Sequence, residues 1–304
     1  MSKPQSSGTV KRAPEEAPEA RVGSPGRFAT LWRRFSRNRL AVIGLGIVTT
    51  MILTAIFAPL LAPYDPYGQN YAVTLQSPNG TYLLGTDSLG GDILSRVIHG
   101  SRISLQASLT SVGIAIGLGV PLGLISGYFR GFLDEVLIMR LIDSIQAFPF
   151  LILALVIAAI LGGGLTFAMI AIGIGFTPAF VRITRGQVLT VRNLEYVQAA
   201  RSVGVGHLPI MLRHVLPNSL PPLLVQTTLA LGYAIIAEAT LSFLGLGASP
   251  GVPSWGSMLY QAQSYLTSAW WMAFFPGMAI FFAVLGFNLL GDGIREALDP
   301  KMQS

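Results

Sequence analysis

The absence of charge over long stretches limits this chain more than any other feature. Residues 40–64, 103–129, 144–181 and 239–291 contain no Asp, Glu, Lys or Arg. A helix needs about 20 apolar residues to cross the hydrocarbon core of a bilayer, so these runs predict membrane-spanning helices. Gly162-Gly163-Gly164 divides the third run into two, turn formers at 249–256 interrupt the fourth, and Pro221-Pro222 opens a further apolar run that reaches Gly247. Six spans are predicted, at 40–62, 103–127, 136–161, 165–187, 223–247 and 270–291. The fold class expected is therefore all-α and polytopic. Composition agrees: 11% of the 304 residues are charged and mean hydropathy is +0.60, whereas a soluble domain carries about 25% charge.

The net charge of +6 would suggest nucleic acid in a soluble protein, but its distribution suits a membrane. Nine of the 20 basic residues precede Leu40. If that segment is cytoplasmic, six alternating spans also put Arg130, Arg182, Arg185, Arg192, Arg201, Arg213, Arg295 and Lys301 inside, leaving Arg96 and Arg102 outside and Arg140 within a span. Cytoplasmic loops retain Lys and Arg, so both termini are expected in the cytoplasm. The first apolar run is longer than a signal-peptide core and follows 39 residues, so it is expected to be retained.

Residues 1–26 are rich in Pro, Ser, Ala and Glu and are expected to form a disordered cytoplasmic tail. Residues 27–39 interleave Phe28, Leu31, Trp32 and Phe35 with arginines, the pattern of a basic interfacial helix. The domain proper is then 40–304, with a polar loop at 188–218.

Several charged residues invite roles. Asp87, Asp92 and Arg96 fall in a glycine-rich stretch of the first outside loop, with Asp92 and Arg96 at helical i, i+4 spacing. They suggest either a lip that meets an external partner or a re-entry element into the second span. Arg140 and Asp143 lie three apart near the start of the third span and predict a structural ion pair, with a kink following at Pro149. Glu238 lies deep in the fifth span, where a charge costs roughly 2.5–3.5 kcal/mol. It either lines a water-filled path or is neutralised by a neighbouring helix, Arg102 being a candidate partner.

Enzyme chemistry finds little support. There is no GxxxxGK[ST] phosphate cradle, no GxSxG, no cysteine, and no metal-ligand spacing among His99, His207 and His214. Residues 195–218, EYVQAARSVGVGHLPIMLRHVLPN, instead form a basic hairpin between spans. A helical run with adjacent Ala199 and Ala200 is broken at Gly204, a second short helix follows, and Leu216-Pro217 is expected to close the segment. Small residues let another surface approach the backbone, Ala200 being expected on the approaching face, and a glycine at the break takes up the left-handed turn. The segment reads as a knob that docks a soluble partner.

This hairpin resembles the EAA loop of ABC-importer permeases. The pattern E-A-A-x3-G-x9-I-x-L-P falls on Gln198, Ala199, Ala200, Gly204, His214, Leu216 and Pro217, with Gln198 and His214 departing from the family's Glu and Ile. GTDSLGGD, SRVIHGSRISL, MRLIDSIQAFPFLILAL, LSFLGLG and NLLGDGIREALDPKM resemble the second-permease type of the dipeptide/oligopeptide group. The resemblance implies a type I ABC-importer permease fold in a bacterial or archaeal cytoplasmic membrane. It implies half of a pore shared with a paralogous permease, two ATP-binding subunits that hold ATP and Mg, and an extracytoplasmic solute-binding protein. Glu195, Gln198, Ala199, Ala200, Gly204, His214, Leu216 and Pro217 would couple to the ATPases, and this chain would carry no catalytic residue, metal or cofactor of its own. The implied solutes are peptides, with nickel chelates or glutathione as alternatives. An ion-driven secondary transporter and a non-transporting scaffold are the rival classes; neither explains both the knob and Glu238.

Overall fold

A computed structural model describes residues 27–248 and 251–298. The tail 1–26, residues 249–250 and the end from 299, including Lys301, lie outside them, as do the side chains of residues 27–30, Phe28 among them.

The helices follow the apolar runs. Amphipathic α1 (Arg27–Arg37) leads into α2 (Arg39–Ile56) and the short α3 (Ala58–Leu61). Asn38 caps α2 by accepting the Ala41 N–H, and its side-chain amide donates to Glu296 near the other end of the chain. A long loop over 62–92 leads to α4 (Ile93–Phe129), whose N-cap is Asp92. A π-turn at Leu133–Ile138 runs into α5 (Met139–Gln146), followed by α6 (Phe150–Ile160) and α7 (Leu165–Val191). Next come α8 (Glu195–Ser202), the single turn α9 (His207–Pro209), a second π-turn at Ile210–Val215 and α10 (Leu216–Phe243). The last elements are α11 (Trp255–Ala262) and α12 (Trp271–Leu298).

Among the described residues five helical segments are long and apolar enough to cross a membrane by themselves, and the first π-turn with α5 makes a sixth only when paired with α6 across a 95° bend. The expected third span is thus two helices meeting at Ala147-Phe148-Pro149. Proline disfavours the helical conformation in the residue before it and removes a backbone donor, and here the α5 ladder stops short of Pro149. The span boundaries also differ from expectation: α4 starts ten residues before the predicted span, and α10 runs from Leu216 to Phe243 rather than over 223–247. Leu216-Pro217 does not close the hairpin; Pro217 occupies the first turn of α10, where a missing N–H costs nothing.

Whether the bent pair crosses is decided by how α4 packs on α7. Gly119 faces Thr177 and Phe180, Gly123 faces Val181 and Thr184, and Gly127 faces Arg185 and Val188. Both numbers rise together, so the helices are parallel, and the chain between them must return to the far side of the bundle. A Cβ at Gly119 would lie 2.6 Å from that of Phe180, and one at Gly127 2.8 Å from that of Val188. The spacing Gly119-x3-Gly123-x3-Gly127 therefore brings the two backbones together, the small-residue packing used where lipid offers no hydrophobic drive. By contrast Gly44 meets Gly286 and Leu290, and Ala41 meets Gly293, so α2 and α12 are antiparallel. Arg39 and Leu298 accordingly lie at one end of the bundle.

Candidate functional site

The expected knob exists and is folded onto the shared end of α4 and α7. Val197 from α8 and Ile210, Met211 and Val215 from the second π-turn bury themselves against Leu124, Tyr128, Val188 and Val191. α8 stops in a Schellman motif: Gly204 has φ +81°, its N–H donates to Arg201 C=O at 3.0 Å, and Val205 N–H donates to Ala200 C=O at 3.1 Å. A Cβ at Gly204 would meet nothing within 4 Å, so the left-handed backbone alone asks for glycine.

Three further contacts fix the knob's angle. Tyr128 Oη and His207 Nδ1 are hydrogen-bonded at 3.0 Å. The Arg201 guanidinium lies 4.9 Å from the centroid of the same Tyr128 ring. Arg192 donates to the carbonyls of Gly127 (3.0 Å) and Tyr128 (2.7 Å), two of the unsatisfied acceptors at the end of α4. Burial, then the like charges of Arg201 and Arg130, hold the Arg192 guanidinium below its usual pKa. None of these contacts was read from the sequence, since nothing local marks Tyr128 as the partner of a residue 79 positions away.

Among the residues of the EAA-like pattern, Gln198, Ala199, Gly204 and Pro217 are exposed, and so is Glu195. Gln198 donates its amide to Asn193 C=O at 3.0 Å. His214 and Leu216 are half-buried, and the His214 carbonyl accepts from Asn218 at 2.7 Å. Ala200 is turned toward the knob's own core, where it packs on the buried cluster. Ala199 is thus fully on the outward face of α8, and Ala200 is half-buried beside it. Val203 (80% exposed), Leu208 (63%) and Leu212 (48%) form the apolar part of the knob's surface.

The predicted charge pairings are corrected. Asp143 pairs with Arg182 of α7 at 2.7 Å, both half-exposed, and not with Arg140, which is exposed. Asp92 caps α4 by accepting from Ser95, while Arg96 pairs with Asp87. Asp87, Asp92 and Arg96 are all at least 95% buried, so they hold the shape of the loop before α4 and present little surface to another protein. Asp87 also accepts the N–H groups of Leu89 and Gly91, both at 2.8 Å.

Glu238 is completely buried. It accepts from Ser242 at 2.7 Å and from Ser104 of α4 at 3.2 Å. Arg102 is exposed on a lateral face and is not its partner. Among the described residues no basic side chain pairs with Glu238; serine hydroxyls hold its carboxyl, one from α10 itself and one from α4.

A third buried polar group lies beside the knob. Arg185 of α7 makes two parallel bonds to Asp134, both at 2.7 Å, and Ser126 Oγ donates to the same carboxylate. Asp134 is fully buried, and the triad ties α4, the first π-turn and α7 together. The sequence did carry a signal for it: Asp134 opens an apolar run and must find a counter-charge. Among the described residues no group of three or more His, Asp or Glu side chains is placed to hold a metal ion.

Comparison with known proteins gives the wider setting. Residues 119–304 match the family described as binding-protein-dependent transport system inner membrane component. Residues 26–78 match the N-terminal TM domain of oligopeptide transport permease C. A di/tripeptide transport system permease protein of Pseudomonas aeruginosa is 45% identical over 301 residues, 97% of this chain and 98% of the relative. A dipeptide transport system permease protein of Alkalihalophilus pseudofirmus is 44% identical over 281 residues, 92% and 91% of the two chains. A glutathione transport system permease protein of Pectobacterium atrosepticum is 44% identical over 274 residues, 90% and 91%. Among solved structures, a chain of the inward-facing MetNI methionine ABC transporter superposes with a TM-score of 0.56 at 19% identity, covering 67% of this chain and 97% of that one.

Proposed function

The chain belongs to the family of binding-protein-dependent transport system inner membrane components, and on that premise we propose that its knob transmits the conformational work of partner ATPases to the pore. The chain is a multi-pass membrane permease subunit of an importer. In this reading it supplies half of the translocation path and no covalent chemistry. A paralogous permease supplies the other half, two ATP-binding subunits hold ATP and Mg, and an extracytoplasmic binding protein delivers the solute.

The observation that carries the proposal is the seating of residues 195–215 on the parallel ends of α4 and α7. Parallel helices joined along a glycine seam move together, and the Asp134–Arg185–Ser126 triad adds the first π-turn to the same unit. A push on α8 is thereby delivered to a rigid pair of spans rather than dissipated in a loop, as domain-type rearrangements require. Because α2 and α12 are antiparallel, both described ends lie together, and a cavity shared by Gln187, Asn218 and Leu298 puts them on the side of the knob; in this reading that Arg-rich side is the cytoplasmic one.

The solutes proposed are short peptides, the cargo named for the two peptide-transport relatives. Glutathione, named for a relative of nearly equal identity, is a second reading. Ala199→Trp tests the coupling role. The exposed indole would keep an ATPase groove from closing on the backbone without disturbing the knob's core. Expected are normal membrane insertion, loss of ATPase copurification and loss of solute-stimulated hydrolysis; wild-type coupling in this variant would overturn the assignment.

A further inference from the structure

Two neighbouring cavities at the knob end of the bundle share Leu298 as a lining residue. The larger, about 690 Å³, lies between α7, α10 and α12 and is lined by Arg182, Arg295, Gln187 and Gln226. The smaller, about 330 Å³, is lined almost wholly by carbon, with Leu31 and Trp32 of α1 facing Leu45, Leu224 and Ile294. The lining residues of the two are immediate neighbours along the chain: Leu224 and Val225 on α10, Ile294 and Arg295 on α12.

The apolar cavity lies where the described side chains of α1 stand partly off the bundle. Phe35 is 9% exposed and packs on Ala41 and Ala297, whereas Leu31 and Trp32 stand off at 36% and 54%. An unfilled apolar gap forfeits dispersion contacts on every wall, and within a bilayer leaflet the filler at hand is an acyl chain. The polar cavity beside it carries charge. Arg295 has no ion-pair partner among the described residues, Glu296 being bonded to Asn38, while Arg182 shares its charge with Asp143. Asp292 lines neither cavity. A phosphate on Arg295 and a hydrocarbon chain under Trp32 would thus belong to one molecule of matching polarity. Basic pockets between spans and arginine-bearing interfacial helices favour anionic headgroups.

We propose that these adjacent cavities hold one anionic phospholipid of the leaflet on which α1 lies, its headgroup on Arg295 and one acyl chain beneath Leu31 and Trp32. The site pins α1 against α12 through the lipid and not only through Phe35.

The test uses the full chain in nanodiscs containing phosphatidylglycerol or phosphatidylcholine with brominated acyl chains. The quenching of Trp32 is isolated as the difference between the wild type and Trp32→Phe. Half-maximal quenching is expected at about fivefold lower mole fraction of the brominated phosphatidylglycerol, the preference one arginine confers. Arg295→Gln should bring the two curves together, while Arg33→Gln with Arg34→Gln should leave the preference in place. Identical curves in the wild type, or a preference lost with the α1 arginines and kept in Arg295→Gln, would overturn the site in favour of diffuse attraction to the surface.

Discussion

The phenol of Tyr128, at the last turn of α4, is hydrogen-bonded to His207 across 79 residues of chain at 3.0 Å. The same ring receives Arg201 from the other side of the Gly204 break. Both arms of the knob are thus referred to one side chain, and the knob cannot tilt without moving α4 or breaking this pair of contacts.

Tyr128→Phe keeps the ring and loses one hydrogen bond, a net cost of about 1 kcal/mol. Complex yield should be near normal and solute-stimulated ATP hydrolysis reduced a few-fold. Tyr128→Ala removes the Arg201 contact as well and should uncouple hydrolysis from uptake more fully while the permease still inserts. Unchanged stimulation in both reconstituted variants would show that the knob's angle is held elsewhere.

Gly123→Leu should be far more damaging than its conservative chemistry suggests. Its Cβ would lie 2.5 Å from the Val181 carbonyl and 2.7 Å from the Thr184 Cβ, both on a helix that cannot yield locally. Overpacking costs about 1–3 kcal/mol or more, so yield and thermal stability of the purified permease should fall sharply. Gly46→Leu, at a position with no neighbour within 4 Å, serves as the control and should leave both unchanged.

For Asp134 and Arg185, each single change to Leu leaves a charge without its partner. Breaking a buried pair costs about 3–5 kcal/mol, and the quarter exposure of Arg185 places this pair toward the lower end. The double variant should be less destabilised than the sum of the singles, which a thermal-melt cycle measures. Strict additivity would mean the two do not act as a pair.

Glu238→Gln retains an acceptor for one serine and should assemble and transport nearly as wild type. Glu238→Leu strands the hydroxyls of Ser104 and Ser242, at about 1–3 kcal/mol for an unsatisfied buried group, and should lower complex yield. A loss of uptake in Glu238→Gln at normal yield would instead place this carboxyl in the solute path.

Orientation is open to labelling because the sequence has no cysteine. A cysteine at exposed Asn79 should react with an impermeant reagent in intact cells, and one at exposed Asn193 should not. The reverse pattern would invert the topology.

Spans, knob and glycine break were legible in the sequence because each is written in adjacent residues. Hydropathy over a helix length decides membrane crossing, and the left-handed backbone that ends α8 falls on Gly204, which adopts it without strain. Gly119, Gly123 and Gly127 were equally local and could have been read as a packing seam. The partners of charged residues are of another kind. Asp143 has Arg140 three positions away yet pairs with Arg182, and Arg96 takes Asp87 rather than Asp92. Sequence spacing fixes which residues share a helix face, while an ion pair depends on which helix packs against that face. The same holds for Ala199 and Ala200, separated by about 100° around α8; only the docking of Val197 onto α4 and α7 turns one outward and the other in. That the bent α5–α6 pair crosses the bundle likewise rests on the parallel register of α4 and α7, a relation between elements that no single run of residues carries.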